Sequence, residues 1–431
     1  MQNNNSQAMH QWAKDLFPIC RSLTGEGTRE TLRYFQKLLP DLKIKDIPSG
    51  TEVFDWTVPD EWNIKDAYVL DGTGNRVIDF KKHNLHVVGY SEPVDKEMTF
   101  EELDKHLYSL PEQPDAIPYI TSYYERRWGF CLPENQRQQL RKNPEARYKV
   151  KIDSTLAAGV LNYGELIIPG KTDKEILLST YVCHPSMANN ELSGPVVTAA
   201  LALWIQNTLQ DREYSYRIVF IPETIGSIAY LSRNLEAMKK NTVAGFVLTC
   251  VGDERTYSYL ASRMGDTLAD AAARHVLSHH YPDYKSYTYL DRGSDERQYC
   301  SPGVDLPVCL ICRSKFLEYP EYHTSLDDLT FVTPEGLNGS LEVYQKVITL
   351  LENNKTYRCK VKCEPQLGKR GLYPTLLTRE SNALVRDMMN CISYADGKHT
   401  LIEIAEKINV YAGDLIPIVK KMLAADLFEE V

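Results

Sequence analysis

At 431 residues the chain exceeds one ordinary domain and has room for two or three, each with its own core. A formal charge of −9 and an isoelectric point near 5.7 argue against nucleic acid or an anionic membrane surface as the main partner. The ten cysteines are scattered, the start MQNNNSQAMHQW lacks the basic and apolar parts of a secretory leader, and no apolar run nears the roughly 20 residues of a membrane span, so a reduced, cytoplasmic protein is expected.

In chain order, Met9, Trp12, Ala13, Leu16 and Phe17, then Leu32, Phe35 and Leu38, recur at helical spacing on either side of Thr24-Gly25-Glu26-Gly27 and predict two helices. From about Ile47 to Arg147 the chain turns rich in Val, Asp and Trp, with a tight turn at Asp71-Gly72-Thr73-Gly74, and reads as short strands. Trp56, Trp62 and Trp128, three of the five tryptophans, fall there and favour a packed block, an inserted domain or lid, over a floppy linker. From Tyr148 apolar strands (Leu161 to Ile168, Ile176 to Cys183, Tyr216 to Ile221, Gly245 to Val251, Leu306 to Cys312) alternate with helices (Ser193 to Leu209, Ser227 to Lys239, Gly265 to His279, Pro334 to Leu351). That pattern predicts an α/β core, a mostly parallel sheet sandwiched by helices.

Beyond the connector Lys360 to Gly371, a helix around Ala383 to Ile392, a helix from Leu401, a break at Ala412-Gly413, a helix from Leu415 to Ala425 and a last strand from Leu427 have the layout of a winged helix. Between Leu372 and Val431 six Lys/Arg face nine Asp/Glu, the wrong field for phosphate, so a protein contact or self-association is the expected role. The expected domains are residues 1–46 with 148–358, the β-rich insertion 47–147, and the winged helix 366–431.

Polar residues gather where the strands end. His184 follows the strand from Ile176, and Asn189, Asn190 and Glu191 lead into the helix at Ser193-Gly194. Glu223 follows the strand ending at Ile221, Thr249, Asp253 and Glu254 follow the next one, and GSDERQY and YPEYHTSLDD bring Asp295, Glu296, His323, Asp327 and Asp328. Two histidines with carboxylates on separate loops fit a catalytic zinc with three protein ligands and an open position. A further carboxylate must take a proton and pass it to a leaving amine; Glu223 is the candidate. Arg126, Arg127, Tyr123 and Tyr124 are candidates for substrate contacts from the insertion, and Tyr322 for stabilising an oxyanion. Cys309/Cys312 and Cys359/Cys363 are close pairs, but LPVCLIC reads as a buried strand and no other spacing makes them a zinc site.

The set HPSMANNELSG, PETIGS and EYHTSLDD resembles the co-catalytic zinc aminopeptidases, the family of bacterial leucyl aminopeptidases and glutamate carboxypeptidase. More closely, nearly the full length, including IPYITSYYERRWGFCLP, resembles bacterial polysaccharide-biosynthesis proteins that join an aminopeptidase-like domain, a small insertion and a C-terminal winged helix. By this resemblance the metal-bridging aspartate falls on Asn190, the second glutamate on Thr224, a further aspartate ligand near Thr249, and the aspartate that orients the first histidine on Ser186. Neutral groups replace anionic ligands poorly, so one zinc per chain is expected in place of two. Its ligands would be His184, His323 and a carboxylate, Glu191, with Asn190 as rival; Glu223 keeps the general-base position, and Asp253 and Asp295 are further metal or substrate candidates. The expected activity is zinc-dependent hydrolysis of an amide in a small peptide or an N-aminoacyl metabolite. The alternatives are a scaffold or binding protein of a biosynthetic pathway that has lost its metal ligands, and a DNA-associated regulator, which the acidic C-terminus disfavours.

Overall fold

The computed structural model describes residues 2–372 and 379–431. It divides into two compact units, Met1–Gly265 with Lys285–Leu341, and Asp266–Tyr284 with Glu342–Val431. The expected insertion 47–147 belongs to the first unit, and the helix Leu268–His280 to the second.

The first unit is built on an eight-stranded sheet of β1 (Lys43–Pro48), β2 (Val160–Ile168), β3 (Glu175–Tyr181), β4 (Ser215–Ile221), β5 (Thr242–Val247), β6 (Ser258–Leu260), β7 (Lys285–Tyr287) and β8 (Val308–Cys312), in the order β1-β2-β4-β3-β5-β8-β6-β7. The centre β4-β3-β5-β8 is parallel, and β6 pairs parallel with β7. By contrast β1 with β2, β2 with β4, and β8 with β6 are antiparallel, so the sheet is mixed. Parallel strands need crossovers, and at the centre α3 (Ser193–Thr208) joins β3 to β4 and α4 (Ile225–Asn241) joins β4 to β5. Every residue of β3, β4 and β8 is buried, as the near-continuous apolar runs require of strands covered on both faces. The predicted N-terminal helices are α1 (Gln2–Leu16) and α2 (Glu26–Leu38); Phe35 of α2 stacks on Phe220 of β4 at 4.9 Å.

The β-rich block is a four-stranded antiparallel sheet in the order Arg76–Asp79, Glu61–Leu70, Arg147–Ala157, Val94–Thr99. Trp62 is buried, donates from Nε1 to the Ser91 carbonyl at 2.9 Å and stacks on Tyr90; Trp128 stacks on His106 at 3.7 Å. Trp56 differs: it sits on the small hairpin Glu52–Val53/Trp56–Thr57, 40 % exposed.

The second unit holds the helices Arg379–Tyr394, Leu401–Ile408 and Ala412–Ala424 and a three-stranded sheet in which Thr356–Cys359 lies between Asp396–Thr400 and Phe428–Glu430. The central strand begins upstream of the expected boundary at 366, hidden in a short polar run with no alternation to betray it. His275 shows why Leu268–His280 goes with this unit: its Nε2 accepts the first amide of the helix Ala412–Ala424 at 2.8 Å, a cap that Tyr411 cannot supply. Among the described residues no helix is long and apolar enough to cross a membrane, and all ten cysteines are free thiols.

Candidate metal and acid–base site

The carboxyl ends of β3, β4 and β5 place the site, as expected for an open α/β sheet. Past β3 the chain leaves the sheet through Ser186, at φ 44°, into a single π-turn, Ala188–Leu192, that runs straight into α3. Asp327 fastens this turn by accepting the amides of Asn189 (2.5 Å) and Asn190 (2.9 Å), while its own carbonyl accepts from Ala188. Gly194 lets α3 begin against the end of β5, because a Cβ there would lie 2.1 Å from the Leu248 carbonyl oxygen. Thr224 and His323 are also in the left-handed region, at φ 64° and 56°. Such backbone costs of order 1–3 kcal/mol each and gathers at functional sites.

His184 is buried between two carboxylates. Its Nδ1 lies 3.0 Å from Glu191 Oε2 and its Nε2 3.4 Å from Glu223 Oε2. Behind Glu191 stands Arg21, also fully buried, with Nε 3.6 Å from Oε1; its Nε and Nη1 donate to the carbonyls of His184 (3.0 Å) and Leu16 (2.7 Å). Burial opposes charge on His184, yet the combined field of Cys183, Tyr119 and Glu191 holds its imidazole well above the usual histidine range. Burial also acts on Glu223, but the hydrogen bond and charge of His184 keep that carboxyl below its ordinary value. His323 is pushed down to about 3 by burial and by His184. Its Nε2 is buried with no partner, while Tyr322 stacks on its ring at 3.9 Å and Tyr119 lies edge-on to both imidazoles at 5.1 Å. The two imidazoles are 5.7 Å apart, centre to centre.

His184, Glu223 and His323 line one cavity of about 330 Å³, together with Tyr124, Trp56, Tyr119 and Arg297. Asn190 is buried behind it, donating to the Tyr181 hydroxyl at 2.9 Å with Oδ1 unpartnered. Asp253 is placed elsewhere: it accepts from Asn189 Nδ2, from the amide and hydroxyl of Ser314 and from the Arg255 amide, so its oxygens are spent holding loops together. Asp295 accepts the Thr224 amide and the Ser227 hydroxyl, both at 2.8 Å, through Oδ1, and its Oδ2 is buried without a partner. Arg127 ties its own loop, donating to Ser122 Oγ and the Thr121 carbonyl, and Arg126 pairs with Asp60. Arg21, Tyr119 and Arg297 escaped the sequence reading because no motif marks an arginine or tyrosine whose partners lie far along the chain.

Burial and the nearby Glu223 charge push Asp295 up to about 7. Between the ordinary carboxyl value of 3.8 and about 7 the native state keeps a proton that the unfolded chain has released, so this group's stabilisation falls as pH rises through that window. Asp295→Asn should therefore flatten the decline of stability between pH 4 and 7, as urea unfolding at three pH values would show; an unchanged slope would place the proton elsewhere.

Two metal ions do not fit this set of donors. Thr249 Oγ1 is 2.5 Å from the Tyr181 hydroxyl and donates to the Asn190 carbonyl, and the Thr224 hydroxyl accepts from Arg297, so the acidic positions of a two-metal centre hold neutral groups already bonded. Among the described residues the one tight cluster of three potential ligands, Cys183, His184 and Glu191, lies on the Nδ1 side of His184, where the Arg21 cation already faces Glu191. The other side of His184 offers a looser set of donors facing open space. There His184 Nε2, the unpartnered Nε2 of His323 and the Glu223 carboxylate belong to one cavity. Glu191, 3.0 Å from Nδ1, then stands on the side away from the cavity, where carboxylates behind metal-bound histidines lie.

Residues 10–354 match the family model described as "Domain of unknown function (DUF4910)", and residues 355–430 match a winged helix-turn-helix model. The chain is 47 % identical, over 91 % of its length and 89 % of the relative's, to a Clostridium acetobutylicum protein described as "Putative polysaccharide biosynthesis protein with aminopeptidase-like domain". It is similar to a crystal structure of a "putative peptidase" from the same organism, with TM-score 0.92, 42 % identity and coverage of 100 % of this chain and 98 % of that one. The Bacillus subtilis zinc aminopeptidase BSAP aligns with TM-score 0.59 at 12 % identity, over 81 % of this chain and 95 % of that one, a likeness of fold.

Proposed function

We propose that this chain, which belongs to the family described as Domain of unknown function (DUF4910), is a metal-assisted hydrolase of aminopeptidase type that cleaves an amide in a small peptide or N-aminoacyl metabolite. The observation that carries this reading is His184, with a buried Glu191 3.0 Å from its Nδ1 and Glu223 facing its Nε2, in a cavity shared with His323. His184 and His323, with Glu223 or Asn190 completing the set, would hold one zinc. When bound, the ion supplies Lewis-acid polarisation of the amide carbonyl. Glu223 accepts the proton of the attacking water and returns it to the departing amine. Arg21 neutralises Glu191, and Glu191 stands on the Nδ1 side of His184, leaving Nε2 to face the cavity. The cavity volume limits substrates to small ones, and Tyr119 and Trp56 supply an apolar wall. The description of the 47 %-identical relative supports a substrate drawn from polysaccharide biosynthesis.

Elemental analysis of untagged protein tests the reading. About one zinc per chain is expected, lost in His184→Ala and His323→Ala and retained in Asp253→Asn. Two ions per chain would mean that Asn190, Thr224 or Thr249 has been misjudged. No zinc in the wild type, even after its addition, would sink the hydrolase and leave the second reading, a binding scaffold, which the neutral side chains at the three family acid positions favour.

A further inference from the structure

Arg297 is the one arginine that lines the cavity beside Glu223. Two other arginines of this unit, Arg29 and Arg255, have carboxylate partners, Glu61 at 2.6 Å and Glu321 at 2.8 Å. Arg297 forms no ion pair among the described residues. Its side chain donates to the Thr224 hydroxyl, and its Nε is buried with no partner. The charges of Glu223 and Asp295 feel it at a distance, yet neither carboxylate contacts it. A guanidinium partly stripped of water and lacking a counter-ion is costly to keep, and such a group is retained where a ligand completes it. The cation stands on a four-residue helix, Glu296–Tyr299, whose preceding Asp295 is bonded to the Thr224 amide at the start of α4, so it is held to the same framework as Glu223.

We infer that Arg297 binds an anionic group of the substrate, a carboxylate or a phosphate, so that the cavity selects acidic aminoacyl compounds over neutral ones. The word substrate rests on the hydrolase reading; the anion site rests on the cavity. A planar fork of donors suits either oxyanion, and a desolvated fork discriminates more strongly than an exposed one. Trp56 and Ile225, which also line the cavity, leave the rest of the ligand an apolar wall. The ligand is thus a compact molecule with one acidic end.

Isothermal titration calorimetry on full-length wild type, Arg297→Gln and Arg297→Lys tests this with three probes, L-aspartate, O-phospho-L-serine and L-leucinamide. Wild type is expected to bind an acidic probe more tightly than leucinamide, and the better of the two identifies the anion. Arg297→Gln should weaken that probe by at least about tenfold and leucinamide by less than about threefold. Arg297→Lys should fall between, since it keeps the charge without the fork. Preference of the wild type for leucinamide, equal weakening of all three in the glutamine variant, or binding of none of them would overturn the anion site. Calorimetry reads binding without turnover. A protein that binds the acidic probe and hydrolyses nothing would therefore refute the hydrolase and leave this site standing.

Discussion

Glu223→Gln is expected to slow hydrolysis of any aminoacyl substrate that the wild type turns over by about two to four orders of magnitude, the usual worth of a positioned general base. Glutamine has the size of the carboxylate but cannot take a proton. The wild-type side chain is mostly buried, with 19 % of it exposed to the cavity, and His184 holds it ionised at neutral pH and ready to accept. The loss should appear in kcat with little change in KM, because the residue acts on the proton being transferred and not on the resting substrate. Zinc content measured on the same preparation decides between two roles. Retained metal with lost turnover marks a base, whereas lost metal makes Glu223 the third ligand. A drop smaller than tenfold would move the base to another group.

Arg21→Ala carries the largest expected cost in stability, about 3–5 kcal/mol, the range for removing one member of a buried ion pair. Arg21 and Glu191 have fully buried side chains, and Glu191 finds its compensation in Arg21 on one oxygen and His184 on the other. Without the guanidinium, the carbonyls of His184 and Leu16 lose their donors as well. Thermal and urea unfolding of the single variants and of Arg21→Met with Glu191→Gln would measure it. The double variant is expected to recover much of the loss, since it removes the stranded charge, but not the zinc affinity, since His184 would lose the carboxylate beside its Nδ1. A cost below about 1 kcal/mol for Arg21→Ala would show that water reaches Glu191 and that the pair is not a buried one.

The sequence by itself determined the layers and much of the site. Strands buried on both faces are continuous apolar runs, and the starts of helices follow from Ser193-Gly194 and Gly226-Ser227, so α3 and α4 and the strands before them were legible. From those strand ends the placement of His184 and Glu223 follows, and the alternation of three helices near the C-terminus carried the winged helix. The direction of the outer strands was not legible, because an apolar run is the same read either way and only hydrogen-bonded neighbours decide it. Nor was the side of His184 on which Glu191 stands. The six residues between them fit either geometry, and the choice is made by Arg21, 163 residues before the histidine, whose buried charge needs the carboxylate. The same holds for Arg297, an ordinary residue of a four-residue helix until the fold turns it toward a cavity with no counter-ion. Periodicity and turn chemistry act between neighbours in sequence; charge compensation and cavity lining act between neighbours in space, and only the tertiary structure says which residues those are.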